Sequence, residues 1–274
     1  MIDMTDLLLK SHQMRELLYE VCVNAKTGHL TSSLSCTEIL VALYYSGVMR
    51  HDPKNPKWEG RDRFILSKGQ ASPILYAILA DLGYYNKKEL KKFAQLDGIF
   101  GVHLQKSVPG VEITAGSLGH GFNIATGMAL VSKKDRTYNM VFTLLGDGEC
   151  YEGSIWEAAM FAGHNNLNNL VAIMDRNFMC ATDFTEECLS LEPLEDKFKS
   201  FNWEVQRING NNIWEVVNAL KYVRSRRSVK PKLIIADTVK GSGIKSTCDE
   251  TLWHSRTPLK KEDIDKCRKE LKDE

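Results

Sequence analysis

Apolar positions fall into two kinds of run along this chain. From Tyr138 to Leu145, Leu170 to Met174 and Leu233 to Ala236 they are nearly continuous, rich in β-branched or aromatic residues, and each run ends in polar residues and glycine. Such runs predict strands buried on both faces, as in a parallel sheet. Elsewhere the apolar positions recur at helical spacing. Met14 to Ala25 carries Leu17, Leu18, Val21 and Cys22 on one face, and Thr37 to Tyr45 predicts a short helix with Thr37 as N-cap. Phe122 to Ser132, Ser154 to Ala162 and Ile213 to Arg226 predict three more, the last with Val216, Val217, Leu220 and Val223 as its apolar stripe. The mostly charged tail, Lys260 to Glu274, spaces Ile264, Cys267 and Leu271 for a surface helix, to which no function is assigned. Strands alternating with helices predict an α/β fold, a doubly wound, mostly parallel sheet with helices on both faces, forming a single domain over 1–274. Ligands in such folds sit beyond the carboxyl ends of the strands, which directs attention to the loops after Leu145, Met174 and Ala236.

Composition narrows the function classes. The 36 Lys and Arg residues against 35 Asp and Glu give a net charge of +1, so no long-range field favours a polyanion, and neither nucleic acid nor a membrane surface is the expected partner. No stretch approaches the roughly 18 consecutive apolar residues of a spanning helix, and Met1 to Lys10 has neither a basic start nor a small-residue cleavage site. A cytoplasmic location is expected. The seven cysteines are scattered and contain no CxxC pair, so they read as reduced thiols rather than a disulfide framework or a thiolate zinc site.

The strongest chemical signal is Gly146-Asp147-Gly148-Glu149 at the end of one predicted strand, with Asn177 at the end of the next, 28 residues lying between Gly148 and Asn177. Both side chains would emerge on one rim. Asp147 offers a hard anionic oxygen and Asn177 a neutral amide oxygen, a donor set for Mg²⁺ or Ca²⁺ whose shell is completed by diphosphate and water. The two glycines let backbone approach a phosphate, and a helix entered near Glu152 or Ser154 would point its N-terminus the same way. Taken alone, Gly-Asp-Gly is more often an ordinary turn. Its place after a buried strand and the later Asn shift that balance.

In this arrangement the sequence resembles the transketolase family, and most closely the N-terminal, thiamine-diphosphate-binding subunit of split transketolases. The resemblance runs along nearly the whole chain through Thr27-Gly28-His29 with Leu34-Ser35, Asp52-Pro53, Arg61-Asp62-Arg63-Phe64, Ser67-Lys68-Gly69, Gly110-Val111-Glu112, Gly116 to Gly121, and Gly146-Asp147-Gly148. It implies thiamine diphosphate with Mg²⁺ as cofactors, Ca²⁺ or Mn²⁺ being able to substitute. Asp147 and Asn177 would hold the metal through their side chains and Met179 through its backbone oxygen. Gly116 and Leu118 would contact the cofactor rings, with Gly148 and Glu149 along the diphosphate. Lys240, after the strand ending near Ala236, is a candidate diphosphate contact, with an ordinary surface lysine the equal alternative. Of seven histidines, His29, His103 and His254 match positions that line the channel to the thiazolium, where neutral imidazoles suit the proton traffic of ketose cleavage. His12, His51 and His164 lie in segments that read as surface or helix. Glu152 matches a carboxylate that links paired cofactor sites across a dimer; a solvated acid at a helix start is the plainer alternative.

Departures from the pattern cluster on the substrate side. Gln70 stands where the family usually has His, Leu30 to Ser33 replaces a small Gly-rich stretch, and His120 replaces a common Gln. The pyrimidine-binding half, with its activating glutamate, has no counterpart in this sequence. The resemblance therefore implies, as partner in an α2β2 assembly, a separate C-terminal transketolase subunit. Together the two would move a two-carbon ketol unit from a ketose, expected to be phosphorylated, to an aldose. Two rivals remain: a subunit of a thiamine-diphosphate-dependent enzyme that decarboxylates a 2-oxo acid or forms a deoxy-ketose, and a non-catalytic binding protein on the same fold.

Overall fold

The computed structural model describes residues 3–137, 139–181 and 183–273. Helix α1 (Met4–Ala25) starts ten residues before the sequence expectation, capped by the Asp3 carboxylate, which accepts from the Met4 N–H at 2.7 Å. A single turn, α2 (Leu30–Leu34), leads into α3 (Thr37–Tyr45). Thr37 is not the N-cap of α3: Cys36 holds that place, and the Thr37 hydroxyl donates back to the Ser33 carbonyl at 3.3 Å. Strand β1 (Arg63–Leu66) and α4 (Ser72–Asp81) follow, then a long loop to α5 (His120–Lys134). The remainder alternates: β2 (Val141–Gly146), α6 (Gly153–His164), β3 (Leu170–Arg176), the short α7 (Thr185–Cys188) and α8 (Leu194–Ser200), β4 (Glu204–Asn209), α9 (Ile213–Ser225), β5 (Lys232–Asp237) and α10 (Lys261–Lys272).

Among the described residues the five strands are all parallel, in the order β1-β2-β3-β5-β4. Successive side chains on a strand point to opposite faces, and here each face has its own core. Phe64, Phe142, Leu144, Val171, Ile173 and Ile234 pack with α1, α3, α4 and α9. Ile65, Leu145, Ala172, Met174, Leu233 and Ile235 pack with α5, α6 and α8. The doubly wound expectation is met. Tyr138, where the first strand was expected to begin, lies outside the described residues, as do Met1, Ile2 and Glu274. The tail does form a helix, but Cys267 and Leu271 are buried, and α10 is tied to α1 by Tyr19 Oη donating to the Ile264 carbonyl at 2.8 Å and by Arg268 with Glu20 at 2.8 Å. Among the described residues no helix is long and apolar enough to cross a membrane.

Two glycines let α5 close on the sheet. Gly119, with φ 83°, turns the chain into the helix, and a Cβ on Gly121 would lie 2.6 Å from Ser67 Cα. This close approach sets the strand ends beside the start of α5, where the candidate site lies.

Candidate active site

Register places the two predicted metal-side residues together. Gly146 at the end of β2 pairs with Asp175 on β3, so the next residues, Asp147 and Asn177, leave the same rim of the sheet. Phe178 then takes φ 62°, a left-handed conformation costly for a bulky residue. That kink returns the chain so that Met179 follows on the same side: a Cβ on Gly148 would sit 4.0 Å from the Met179 carbonyl oxygen and 3.4 Å from Cys180 Cα.

Asp147 is buried and fully oriented. Its Oδ2 accepts from Arg176 Nη1 at 3.0 Å and from the Phe178 N–H at 2.7 Å, and its Oδ1 from the Gly148 N–H at 2.8 Å. Burial raises its carboxyl to about 6 even though the Arg176 guanidinium pulls the other way. Asn177 Oδ1 accepts from the Met179 N–H at 3.2 Å, and its Nδ2 donates to Asp175 at 3.4 Å. Glu149 is committed to the loop: one oxygen accepts from the Ser67 hydroxyl and from the Gly119 N–H at 2.8 Å, the other from the Gly146 N–H at 3.1 Å. Burial pushes this carboxyl up, and those donors pull it back.

These groups open onto a cavity of about 220 Å³ that also gathers His29, His103, His254, Gly116, Leu118, Gly148, Met179 and Lys240. The His29 and His103 ring centroids are 5.4 Å apart, and those of His29 and His254 5.5 Å. Burial, reinforced by neighbouring cations, lowers both His29 and His254 to about 4, so both are neutral at pH 7. His254 Nδ1 is 3.2 Å from Lys240 Nζ, which donates to the Cys180 carbonyl at 3.0 Å. Burial lowers Lys240 itself to about 8. His29 Nδ1 is buried with no hydrogen-bond partner. A buried polar atom left unpaired is uncommon and calls for an explanation such as a bound water or ligand.

Two further residues lie away from the cavity. Glu152 caps α6 but is exposed and does not line the cavity, and no residue of α6 does; the turn Gly148–Tyr151 stands between. His51 is structural, with Nε2 2.9 Å from the Tyr44 carbonyl and Nδ1 3.2 Å from Tyr84 Oη. Gln70 and Ser32 both line the cavity, so two of the substrate-side departures do reach it.

Sequence reasoning missed the buried ionic layer beneath the site. Lys68, 1% exposed, pairs with Asp175, which is fully buried and also accepts from Ser35 Oγ at 2.7 Å and from the Thr238 hydroxyl. Burial works against both charges, yet each holds the other ionised: Asp175 lies below and Lys68 above its ordinary value. Arg176, fully buried, reaches Asp147, Thr185 Oγ1 at 2.6 Å, Glu186 at 2.8 Å and Glu192 at 3.3 Å, and its guanidinium lies 4.2 Å from the Phe178 ring centroid. The available signal was Asp175-Arg176 immediately before Asn177: two charges at the end of an apolar strand must be paired.

The donor set fits a hard divalent cation with a diphosphate: one oriented carboxylate, one amide oxygen, a nearby backbone carbonyl, glycines without side chains, and the ammonium of Lys240 in the same lining. No cluster of three His, Cys, Asp or Glu side chains suited to a metal occurs among the described residues. Any cation here would accordingly need oxygens from backbone and ligand.

Over residues 9–273 the chain matches the family described as transketolase, thiamine diphosphate binding domain. It is 43% identical over 239 residues to the 6-deoxy-6-sulfo-D-fructose transketolase subunit SqwG of Clostridium sp. (strain MSTE9), covering 87% of this chain and 86% of that one. It is 37% identical over 250 residues to an apulose-4-phosphate transketolase subunit of Phocaeicola vulgatus, covering 91% and 88%. The crystal structure of transketolase from Campylobacter jejuni superposes with a TM-score of 0.91 at 31% identity, over 99% of this chain but 43% of that one. The chain thus spans under half the length of the solved transketolases it matches. This protein belongs to the transketolase family, as a transketolase-type transferase subunit of the kind that carries the thiamine diphosphate binding domain.

Proposed function

We propose that this chain is the diphosphate-side domain and N-terminal subunit of a two-chain transketolase, moving a two-carbon ketol unit from an anionic ketose to an aldose with thiamine diphosphate and Mg²⁺. The observation that carries the reading is the shared cavity lined by Asp147, Asn177 and Met179 together with the neutral imidazoles of His29 and His254. The named substrates of the two relatives above, a sulfonated and a phosphorylated ketose, support an anionic donor here.

When bound, thiamine diphosphate supplies the carbon nucleophile and electron sink for cleavage beside a ketose carbonyl. Asp147, Asn177 and the Met179 carbonyl would hold the cation, and Lys240 would face the diphosphate. Glu149 fixes the Gly146–Gly148 turn through Ser67 and Gly119 rather than facing the ligand as a free carboxylate. The neutral His29 imidazole lines the cavity, where it would exchange a proton or hydrogen bond with a substrate hydroxyl. With Nδ1 of His254 turned to Lys240, its Nε2 is left for the substrate. Gln70 can donate and accept hydrogen bonds but cannot shuttle protons, so it orients substrate rather than titrating.

The pyrimidine-binding half comes from a separate partner chain in an α2β2 assembly. Ile124 on α5 and Met160 and Phe161 on α6 are exposed apolar side chains on neighbouring helices, with exposed Glu152 at the head of α6, a surface suited to a second chain. The test is ketol transfer measured with the chain alone, the partner alone and both together. Transfer from the reconstituted pair, abolished by Asp147→Ala, is expected. Transfer by the chain alone, or CO₂ release from pyruvate by the pair without ketol transfer, would overturn the proposal.

A further inference from the structure

Apart from the histidines and carboxylates, two thiols meet beside the cavity, one of them in its lining. Cys180 follows Met179 on the loop after β3, and Cys188 ends α7; their Sγ atoms are 3.3 Å apart. Main-chain hydrogen bonds set this approach. Met179 and Phe184 form an antiparallel bridge, the Cys180 N–H donates to the Asp183 carbonyl at 2.9 Å, and the Thr185 N–H to the Phe178 carbonyl at 2.9 Å. The pair is also accessible. Cys188 is exposed and Cys180 half-buried, whereas Cys22, Cys36, Cys150 and Cys267 are buried and the Cys248 thiol is turned onto the Gly241 and Ile244 carbonyls, 3.4 Å from each. An oxidant arriving from solvent meets Cys188 and Cys180 first.

We propose that Cys180 and Cys188 form a reversible redox site, closing to a disulfide that pins the loop bearing the Met179 carbonyl across the mouth of the cofactor cavity. With hydrogen peroxide as oxidant, one sulfur attacks the O–O bond to give a sulfenic acid and one water; the second sulfur then displaces the sulfenic oxygen as a second water. Two thiols lose two electrons and two protons, and one peroxide is reduced. Closure brings the sulfurs from 3.3 Å to about 2.05 Å, and the Cys180 thiol gives up its 3.1 Å contact with the Asp183 carbonyl. The loop has a further partner in the lining, because the Cys180 carbonyl accepts from Lys240 Nζ. A cross-link on one side of that contact hinders the wall of Met179, Cys180 and Ala181 from swinging aside. This consequence rests on the proposed cofactor site; the thiol chemistry does not.

The experiment uses the complex of this chain with its partner subunit, reduced, freed of reductant and treated with hydrogen peroxide. Expected by non-reducing peptide mapping is the loss of two of the chain's seven thiols, one cross-linked peptide pair joining positions 180 and 188, and full reversal by dithiothreitol. Cys188→Ser should yield no cross-link and a trappable sulfenic acid at Cys180. Release of bound thiamine diphosphate should be several-fold slower from the oxidised complex than from the reduced one, and unaffected by peroxide in Cys188→Ser. Unmodified or separately over-oxidised cysteines at both positions would overturn the redox site, and a clean disulfide with unchanged release would overturn the pinning. A failure of ketol transfer would leave the mapped disulfide untouched, so the two proposals fail separately.

Discussion

Lys68→Met tests the buried ionic layer directly. The side chains of Lys68 and Asp175 are 1% and 0% exposed, and the described donors to Asp175, apart from Lys68, are Ser35, Thr238 and Asn177. Removing the ammonium leaves a buried carboxylate served only by neutral donors, a situation that costs about 3–5 kcal/mol. Against the roughly 5–15 kcal/mol that holds an ordinary domain folded, that is a large fraction. Asp175→Asn should cost about as much for the opposite reason, an unpaired buried ammonium. The double variant Lys68→Met/Asp175→Asn removes both charges, leaves the Ser35 and Thr238 hydroxyls an amide to bond, and should be more stable than either single variant. Urea unfolding followed by the fluorescence of the five tryptophans reads the differences, since midpoint shifts at constant m report stability alone. Both single variants losing less than about 1 kcal/mol, or a double variant losing the sum of the two, would refute the reasoning, because independent sites add and a coupled pair does not.

Arg176→Met should weaken Mg²⁺-dependent thiamine diphosphate binding by about 10–100-fold in calorimetry, the usual cost of losing a group that orients a metal ligand; Arg176→Lys should not rescue it, since one ammonium cannot replace contacts to Asp147, Thr185, Glu186 and Glu192. At Phe178, with φ 62° and its ring on Arg176, Gly should be tolerated better than Ala in thermal unfolding, because both lose the stack but only Gly relieves the left-handed strain. The His29 and His254 imidazoles are lowered by burial to about 4, whereas the unfolded chain protonates them near 6.5. The unfolded state therefore binds more protons between those values, and stability should fall as pH drops from about 6.5 to about 4. His29→Gln/His254→Gln should flatten that fall in urea midpoints measured across the range; an unchanged slope would contradict neutral burial.

What could be read from the sequence follows from how each element is buried. Strands β2, β3 and β5 are buried along nearly their whole length and so read as unbroken apolar runs. Strand β4, Glu204–Asn209, lies at the sheet edge, half exposed and mostly polar, and β1 is only four residues long; neither leaves a run to recognise. Thr37 had the right chemistry for a cap, but α2 runs into α3 with a single turn's break, which shifts the cap to Cys36. The extra turns at the start of α1 were unreadable for a different reason: Met4 to Gln13 mixes apolar and polar residues without a clean stripe, and the helix is held there by the Asp3 cap and by packing on its neighbours.

The same distinction divides the site. Asp147 and Asn177 could be found from sequence because the strands that carry them are adjacent in the sheet, so a fixed spacing becomes a shared rim. For Asp175 and Arg176 the sequence shows two charges ending an apolar strand but not what pairs them, and nothing in it marks Lys68 as buried. A charged residue in a sequence is ordinarily a solvated one, and the partners are not sequence neighbours: 107 positions separate Lys68 from Asp175, 63 separate Thr238 from Asp175 and 29 separate Asp147 from Arg176, whose other partners Thr185, Glu186 and Glu192 lie 9, 10 and 16 positions on. Pairing these charges needs the sheet already formed, with β1, β3 and β5 ending at one level. The cation-side carboxylate is thus held by residues whose charges are neutralised only in the folded protein, whereas Gln70 and Ser32, on the side of the departures, line the cavity and carry no charge of their own. Substitution at Gln70 should accordingly change which ketose is accepted at little cost to folding, while substitution at Lys68 or Arg176 should cost folding and cofactor binding together.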